Sequence, residues 1–291
     1  IVFVGLSGGV DSAVSAVMLK KQGYEVVGVF IKTWHPDFLV CNEEEERRDA
    51  MRVAAHLDIP FITVDLEKEY KEGVADYMIA EYKAGRTPNP DVMCNKEIKF
   101  GAFLDRALAL GADAIATGHY AQVGQKAGET FCLKRGVDDS KDQSYFLWTL
   151  NQEQLSKTIF PIGHLRKSEV RELARKFKLP VADKRDSQGI CFLGDVDMSE
   201  FMSRYIKTKS GNVLNDQGEK IGEHNGALFY TLGQAWPHSA KTPRGEYRRL
   251  YVVAKDARQN TITVATNQVQ SNKKLSPLIA TLKDINWISG S

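Results

Sequence analysis

A glycine-rich run near the start of the chain constrains the fold more than any other feature. The apolar run Ile1–Gly5 is followed directly by Leu6–Ser12, which reads LSGGVDS, and then by a segment with helical spacing. This order predicts a strand, a tight turn and a helix. Glycines at the end of a strand let backbone amides face an anion, and the N-terminus of the next helix adds partial positive charge. The sequence therefore predicts a nucleotide phosphate site.

The run differs from the two commonest nucleotide-binding loops. No Gly-Lys-Ser or Gly-Lys-Thr follows it, so it is not a Walker A loop. The G-x-G-x-x-G fingerprint of dinucleotide-binding folds is also absent at this junction. The run instead resembles the signature loop of the ATP pyrophosphatases, the PP-loop superfamily. That resemblance implies ATP binding, pyrophosphate release and transfer of AMP to a substrate oxygen; the alternative is a turn that only joins a strand to a helix.

Predicted strands and helices alternate over the first two-thirds of the chain. Strands are predicted at Ile1–Gly5, Val26–Ile31, Phe61–Asp65 and Ala114–Thr117. Helices are predicted at Ser12–Gln22, Glu43–Leu57, Lys68–Lys83 and Ile98–Leu110. This order predicts an α/β domain with a parallel, doubly wound sheet, and ligands bind at the carboxyl ends of its strands. We predict that this domain covers residues 1–205.

The sequence pattern of the remaining third of the chain predicts a β-rich domain. Asn215–Gly218 is typical of a hairpin turn, and Leu250–Ala254 and Thr261–Ala265 alternate around another turn. We predict a small central domain over residues 206–272 and the start of a truncated β-barrel over residues 273–291. Ile1 already lies in a predicted strand, and the strand predicted to start in Leu278–Ile288 is followed by no closing element. We therefore expect the natural protein to extend beyond this sequence at both ends.

Composition narrows the class of protein. The 291 residues include 39 basic and 37 acidic ones, so the net charge of +2 gives no global nucleic-acid signature. Basic residues cluster between Arg166 and Arg185, as either a solvated helix face or an RNA-backbone patch. No apolar stretch approaches the ~20 residues that span a bilayer, so we expect no membrane association. Four cysteines without a C-x-x-C pair favour chemistry at single thiols in a reducing compartment. We expect a cytoplasmic location, with an organellar one left open.

Two loops contain the cysteines of greatest interest. Arg86–Asn95 holds two prolines, with Asp91 three residues before Cys94. Because a helix is predicted to follow, Cys94 is expected near a helix N-terminus, which would lower its pKa. A buried structural cysteine is the alternative. The second loop, Asp186–Gly194, places Cys191 in a short apolar run, and taken alone it indicates a buried cysteine.

Together these segments resemble the tRNA-specific 2-thiouridylases of the PP-loop superfamily. The resemblance covers the chain from Ile1 to about Gln234. It includes Gly85–Phe100, Thr117–Tyr120, Ser140–Leu147 and Gly222–His224. It implies an enzyme that adenylates the C2 carbonyl oxygen of the wobble uridine in certain tRNAs. Persulfide sulfur then replaces that oxygen, giving 2-thiouridine, AMP and pyrophosphate.

The resemblance also implies roles for individual residues. ATP would contact Gly5, Leu6, Ser7, Gly8, Gly9, Val10, Asp11, Ser12, Ile31 and Gly118. The target base would lie among Asn89, Pro90 and Asp91, and the tRNA would contact Lys141, Asp142 and Gln143. Cys191 would carry the persulfide, and Asp91 would act as a general acid or base. Cys94 would be the nucleophile that releases the product by forming a Cys94–Cys191 disulfide.

Partners and alternatives complete the hypothesis. Mg²⁺ would accompany ATP, and a cysteine desulfurase or persulfide relay protein would supply sulfur to a monomeric enzyme. We expect no protein-bound metal, with an iron–sulfur cluster on Cys41, Cys94 and Cys191 as the alternative. Cys132 is predicted to be a core residue. Two other functions stay open: an amide-forming ligase that uses the same adenylate, and a non-catalytic RNA-binding protein.

Overall fold

A computed structural model describes residues 1–39, 42–125, 130–186, 189, 191–194, 197–241, 247–266, 282 and 285–288. The chain divides into two compact units. The first comprises Ile1–Asp76, Asn89–Asp195 and Ile285–Ser291, and the second comprises Tyr77–Pro88 and Val196–Asp284. This division falls ten residues before the predicted domain boundary at residue 205, and it also assigns the segment Tyr77–Pro88 to the second unit. Helical periodicity reports which face of a segment is apolar but not which partner covers it.

A parallel sheet of five strands forms the centre of the first unit. The strands of this unit are β1 (Val2–Gly5), β2 (Val26–Lys32), β3 (Phe61–Asp65), β4 (Ala114–Ala116), β5 (Ala121–Gln125), β6 (Phe131–Arg135) and β7 (Thr158–Ile159). The sheet order is β3-β2-β1-β4-β7, and every neighbouring pair is parallel. β5 and β6 form a separate antiparallel pair. The predicted doubly wound α/β architecture is confirmed, and the loop after β1 lies where the strand order reverses, the usual ligand position in such sheets.

Helices follow the strands as predicted, although two of the predicted helices are composite. The α-helices are α1 (Val10–Lys21), α2 (Glu43–His56), α3 (Glu67–Tyr70), α4 (Tyr77–Lys83), α5 (Pro90–Met93), α6 (Phe103–Ala109), α7 (Gln152–Ser156), α8 (Lys167–Lys176) and α9 (Met198–Ser203). A π-helix, Lys71–Asp76, separates α3 from α4, and a second, Cys94–Ala102, separates α5 from α6. The helix predicted over 98–110 thus belongs to a helical segment that begins at Pro90. A 3₁₀ helix spans Ser144–Leu147.

The main core anchors the glycine-rich loop at both of its ends. Val4 of β1 and Val14 of α1 are fully buried, and Leu6 and Val10 beside the loop are buried with them. Val170 of α8 belongs to the same apolar cluster. Burying each such side chain stabilises the fold by about 1.5–3 kcal/mol, so the loop lies between two firmly packed elements, β1 and α1.

The second unit contains an independent β-sheet with its own core. Its strands are β8 (Gly211–Leu214), β9 (Lys220–His224), β10 (Ala235–Lys241), β11 (Tyr247–Asp256) and β12 (Thr261–Ala265), in the order β10-β11-β12-β8-β9. A 3₁₀ helix spans Ala227–Phe229. The core of this sheet includes three fully buried side chains, those of Val213, Val252 and Ile262. The hairpin turn predicted at Asn215–Gly218 is present, with Gly218 N donating to the Asn215 carbonyl at 3.1 Å.

The final predicted segment lies almost wholly outside the described residues. Of residues 273–291, only 282 and 285–288 are described, so the predicted start of a β-barrel stays a prediction. None of the described helices is both long enough and apolar enough to span a membrane.

Candidate active site

The loop Leu6–Gly9 joins β1 to α1 in a conformation that requires glycine. Gly8 has a φ of +70°, in the left-handed region that other residues rarely adopt. A Cβ at Gly8 would also lie only 2.5 Å from the carbonyl oxygen of Glu46. Gly9 caps the N-terminus of α1 with extended backbone. The first amides of α1 are therefore free to face an anion, as the sequence predicted for this run.

Two serine hydroxyls close the loop onto itself. Ser12 Oγ accepts from the backbone N–H of Ser7 at 3.2 Å and donates to the Gly9 carbonyl at 3.1 Å. The two hydroxyl oxygens of Ser7 and Ser12 lie 3.2 Å apart. These bonds fix the cradle before any ligand arrives, because the loop supplies both partners of each bond.

A second glycine predicted for the nucleotide site also lies against the loop. Gly118 follows β4, and a Cβ there would lie 2.8 Å from backbone atoms of Asp11 and Ser12. This close approach explains why only glycine fits at this position. Ile31 is buried near the end of β2. Its predicted place beside the adenine stays a prediction.

Asp11 belongs to an ion-pair network that the sequence did not predict. Its carboxylate accepts hydrogen bonds from Lys167 Nζ at 2.7 and 2.8 Å and from Tyr120 Oη at 2.8 Å. Lys167 Nζ also lies 2.8 Å from Asp186, which pairs with Arg171 at 2.7 Å. The available signal was the basic cluster at 166–185, but its spacing did not show that Lys167 and Arg171 converge on the carboxylate of Asp186.

The pKa of Asp186 shows how strongly this network stabilises the ionised carboxylate. Burial raises the pKa of its carboxyl, but hydrogen bonds from Lys167 and Lys141 outweigh that and hold the pKa at about 2. Asp186 therefore stays ionised at neutral pH. It begins the loop that leads to Cys191, so the network connects the start of α1 to the start of the second cysteine loop.

The structure brings Cys94 and Cys191 together. Their sulfur atoms lie 3.4 Å apart, although 97 positions separate them in the sequence, and both are free thiols. Cys94 is fully buried at the start of the π-helix Cys94–Ala102, whereas Cys191 is partly exposed. The backbone N–H of Cys191 donates to Asp91 Oδ1 at 2.9 Å, and Tyr70 Oη donates to the Cys191 carbonyl at 2.8 Å. Asp91 and Tyr70 thus hold the second loop over the first cysteine.

The expectation of a lowered pKa at Cys94 is wrong. Burial and the hydrogen bond to Cys191 raise the pKa of the Cys94 thiol well above its ordinary value. The hydrogen bond from Cys94 and, against burial, the charge of Lys99 lower the pKa of Cys191 to about 7. The reason is that Cys94 lies inside a continuous helical segment and is fully buried, and burial disfavours a thiolate. Cys191 is therefore the more acidic thiol of the pair, and Cys94 donates a hydrogen bond to it.

Several residues predicted to touch the tRNA make local hydrogen bonds. Asn89 Oδ1 caps α5 by accepting from the Val92 N–H at 3.2 Å, and Pro90 opens that helix. Asp142 accepts from the Gly136 N–H at 2.9 Å, and Gln143 Oε1 accepts from the Tyr120 N–H at 3.0 Å. Lys141 lies 3.1 Å from Asp186. Their contact with RNA stays a prediction.

The remaining candidates are either structural or outside the described residues. His119 is buried beside Thr117, and burial followed by the charge of Lys99 lowers its pKa well below the ordinary value. Cys132 lies on β6 and is partly exposed, so its prediction as a core residue is wrong. Its strand belongs to a two-stranded pair that covers it incompletely. Cys41 lies outside the described residues, and among the described ones no cluster of three or more His, Cys, Asp or Glu could hold a metal ion. The iron–sulfur alternative stays a prediction.

Comparisons with known proteins identify the family. Residues 1–195 match the family model described as the tRNA methyl transferase HUP domain, and residues 199–266 match the PRC-barrel domain of the same description. The tRNA-specific 2-thiouridylases of Streptococcus pyogenes serotype M3 and Streptococcus mutans serotype c are each 51% identical over 266 residues. Each match covers 90% of this chain and 71% of the relative.

Solved structures show weaker likeness. The U34-tRNA thiolase of Methanococcus maripaludis with its [4Fe-4S] cluster has a TM-score of 0.43 at 17% identity, covering 70% of this chain and 63% of its own. The NMN synthetase of Francisella tularensis has a TM-score of 0.40 at 19% identity, covering 68% and 71%. Likeness at this level does not assign a function, whereas the sequence matches do assign a family. The chain belongs to the tRNA-specific 2-thiouridylases, a family of enzymes.

Proposed function

We propose that this enzyme thiolates tRNA in an ATP-dependent reaction at the C2 position of the wobble uridine. The observation that supports this most directly is the pair of free thiols 3.4 Å apart, one acidic and one not, in the same compact unit as a preformed phosphate loop. The close relatives named as tRNA-specific 2-thiouridylases support tRNA as the substrate.

The phosphate loop would bind ATP through its backbone. The amides at the start of α1, the hydroxyls of Ser7 and Ser12 and the cradle beside Gly8 and Gly118 suit phosphate oxygens. Asp11 is the one carboxylate of the run Leu6–Ser12, and it would hold Mg²⁺ only in exchange for Lys167, which bonds both of its oxygens. The charge of the metal would neutralise phosphate when it is bound. The uridine O2 would attack the α-phosphorus, the bond to the β-phosphate would break, and pyrophosphate would leave.

Sulfur transfer would follow at the cysteine pair. A persulfide on Cys191 would attack C2, the C2–O bond would break, and AMP would leave with its oxygen. The Cys94 thiolate would then attack Cys191 Sγ, breaking its bond to the transferred sulfur and releasing 2-thiouridine. A Cys94–Cys191 disulfide would form, and a reductant would return two electrons to reopen it. Asp91, which already contacts the second loop, would accept the proton of Cys94.

Two partners are needed to complete the cycle. The sulfur donor would be a cysteine desulfurase or a persulfide relay protein. We propose that the enzyme acts as a cytoplasmic monomer. An amide-forming ligase would leave both cysteines idle, and so would an RNA-binding protein without catalysis, so the thiols decide between these functions.

The test is a thiolation assay on unmodified tRNA with ATP and a persulfide donor, read as 2-thiouridine by mass spectrometry. Cys94→Ser and Cys191→Ser should each lower the rate at least about a thousandfold, since each removes a reacting sulfur. Cys132→Ser, which changes a partly exposed thiol on β6, should leave the rate unchanged. Full activity in both of the first two variants would overturn the proposal, and product formation without ATP would overturn its first step.

A further inference from the structure

Lys99 is a cation that faces the cysteine pair and to which the reaction outlined above gives no role. It lies five residues after Cys94 on the π-helix Cys94–Ala102. In a π-helix the backbone bonds join residues five apart, so such residues lie one turn above each other. The π-helical stretch therefore places an ammonium on the same side of the helix as the Cys94 thiol, where an α-helix would rotate it away.

The contacts of Lys99 lead to the second cysteine. Its positive charge acts on Cys191, and its Nζ lies 5.9 Å from the centre of the ring of Phe192, the residue that follows Cys191. Among the described residues no carboxylate lies within 4.0 Å of this ammonium, whereas its neighbour Lys96 pairs with Glu97 at 3.0 Å. The positive charge of Lys99 is thus directed at sulfur rather than at a carboxylate.

The surroundings keep this charge in place. Burial lowers the pKa of Lys99, but the negative charge of the sulfur atoms of Cys191 and Cys94 raises it by more. The pKa of Lys99 is therefore raised above its ordinary value. Asp91 adds to the same direction. His119, whose pKa is lowered by burial and by the charge of Lys99, stays neutral and so does not compete as a cation. Tyr70, which bonds the Cys191 carbonyl, has a raised pKa and stays neutral as well.

We propose that Lys99 is a positioning residue that provides the counter-charge for the sulfur anion at Cys191 while sulfur is loaded. The inference deepens the proposed function and rests on it. In loading, the Cys191 thiolate attacks the outer sulfur of a donor persulfide. The sulfur–sulfur bond of the donor breaks, the departing donor sulfur takes up the proton of the transferred sulfur and leaves as a thiol, and the new persulfide anion remains at Cys191. One negative charge is present beside Lys99 before and after the step, so a fixed ammonium suits both states.

The test follows the reactivity of the thiol rather than turnover. The rate at which iodoacetamide modifies Cys191 is measured in the full chain from pH 5 to pH 10, with the modified peptide quantified by mass spectrometry. Lys99→Met should move the midpoint upward by about one pH unit and slow modification at pH 7 about five- to tenfold, since only the thiolate reacts. Lys99→Arg should restore most of the rate, and Lys96→Met on the same helix should change nothing.

The outcomes separate this inference from the proposed function. Modification by iodoacetamide needs no tRNA, ATP or sulfur donor, so it reports on Lys99 whether or not the chain thiolates tRNA. An unchanged midpoint in Lys99→Met, with thermal unfolding as cooperative as in the parent, would overturn the inference. If that variant fails to fold, Lys99→Gln and Lys99→Arg replace it, and equal midpoints in the neutral and the charged variant would overturn it equally. Unchanged thiolation by Cys191→Ser would instead overturn the proposed function.

Discussion

The phosphate loop and the cysteine pair are assembled in opposite ways. The loop is largely local, because the serine bonds that close it join residues at most five positions apart. The cysteine pair is distant, because 97 positions separate its members and contacts of 100 and 121 positions hold its second loop. A local site can be identified from a short run of sequence, whereas the chemistry of a distant site depends on which residues the fold buries.

The two sites also differ in the groups that stabilise negative charge. At the loop, backbone amides and two hydroxyls offer an uncharged cradle, and the nearby carboxylate of Asp11 is balanced by Lys167. At the cysteine pair, one buried thiol and one ammonium set the ionisation of Cys191. The loop should therefore respond mainly to changes of shape, and the cysteine pair mainly to changes of charge.

The largest expected effect concerns the order in which the two thiols react. At pH 7 iodoacetamide should modify Cys191 at least about a hundredfold faster than Cys94, because the thiolate is the nucleophile and Cys94 is buried as a neutral thiol. Since the pKa of Cys191 is lowered to about 7, its rate should rise with pH through that value and level off above it. Peptide mass spectrometry after brief labelling measures both rates, and similar rates in denaturant provide the control. Faster labelling of Cys94 in the folded protein would contradict the assignment of the thiolate.

A change of shape at the loop should have the next largest effect. Gly118→Ala places a Cβ 2.8 Å from backbone atoms of Asp11 and Ser12, which cannot give way without moving the start of α1. Such overpacking costs about 1–3 kcal/mol, so ATP affinity should fall about five- to a hundredfold in calorimetric titration. Gly222→Ala on β9 is the matched control, since its nearest neighbour would be 3.9 Å away. Equal ATP affinity in the two variants would show that the loop has more room than its geometry indicates.

The network between the two sites should contribute to stability. Lys167→Met removes the partner of both Asp11 and Asp186 and leaves two carboxylates less well compensated. Because Lys167 is largely buried, we expect a loss of about 1–3 kcal/mol in the free energy of unfolding, measured by denaturant titration. Lys176→Met, at the exposed end of the same helix, should change it by less than about 0.5 kcal/mol. Matching values for the two variants would mean that the ion pairs add nothing.

The smallest expected effect tests the anchoring of the second cysteine loop. Tyr70→Phe removes the hydroxyl that donates to the Cys191 carbonyl at 2.8 Å and leaves the packing of the ring unchanged. Loss of one such hydrogen bond costs about 1 kcal/mol, so the rate of disulfide formation between Cys94 and Cys191 under mild oxidation should fall about fivefold. Tyr24→Phe, at an exposed position, is the control. Faster disulfide formation in Tyr70→Phe would show that Tyr70 restrains the pair rather than aligning it.

Several features were predictable because they depend on short stretches of chain. The run Leu6–Ser12 predicted a tight turn between a strand and a helix, and the alternation of strands and helices predicted the parallel sheet, both of which the structure confirms. The hairpin turn at Asn215–Gly218 was predictable for the same reason. In each case the residues that decide the conformation are neighbours in the sequence.

The errors came from burial and long-range partners. The position of Cys94 before a predicted helix indicated a lowered pKa, but the helical segment begins earlier, at Pro90, and the thiol is buried. Cys132 was expected in the core but lies on a pair of strands that covers it only partly. Neither outcome is written in the neighbouring residues, because burial depends on what the rest of the chain brings to the same place.

The sequence by itself therefore determined the glycine-rich turn between β1 and α1 and the alternation of strands and helices, and it singled out Cys94 and Cys191 as candidates. Only the tertiary structure decided which cysteine is the more acidic, that Lys167 connects Asp11 to Asp186, and that Lys99 faces sulfur. The physical reason is that a backbone turn is set by the conformational preferences of adjacent residues. The ionisation of a thiol is set by burial and by charges that reach it from distant parts of the chain.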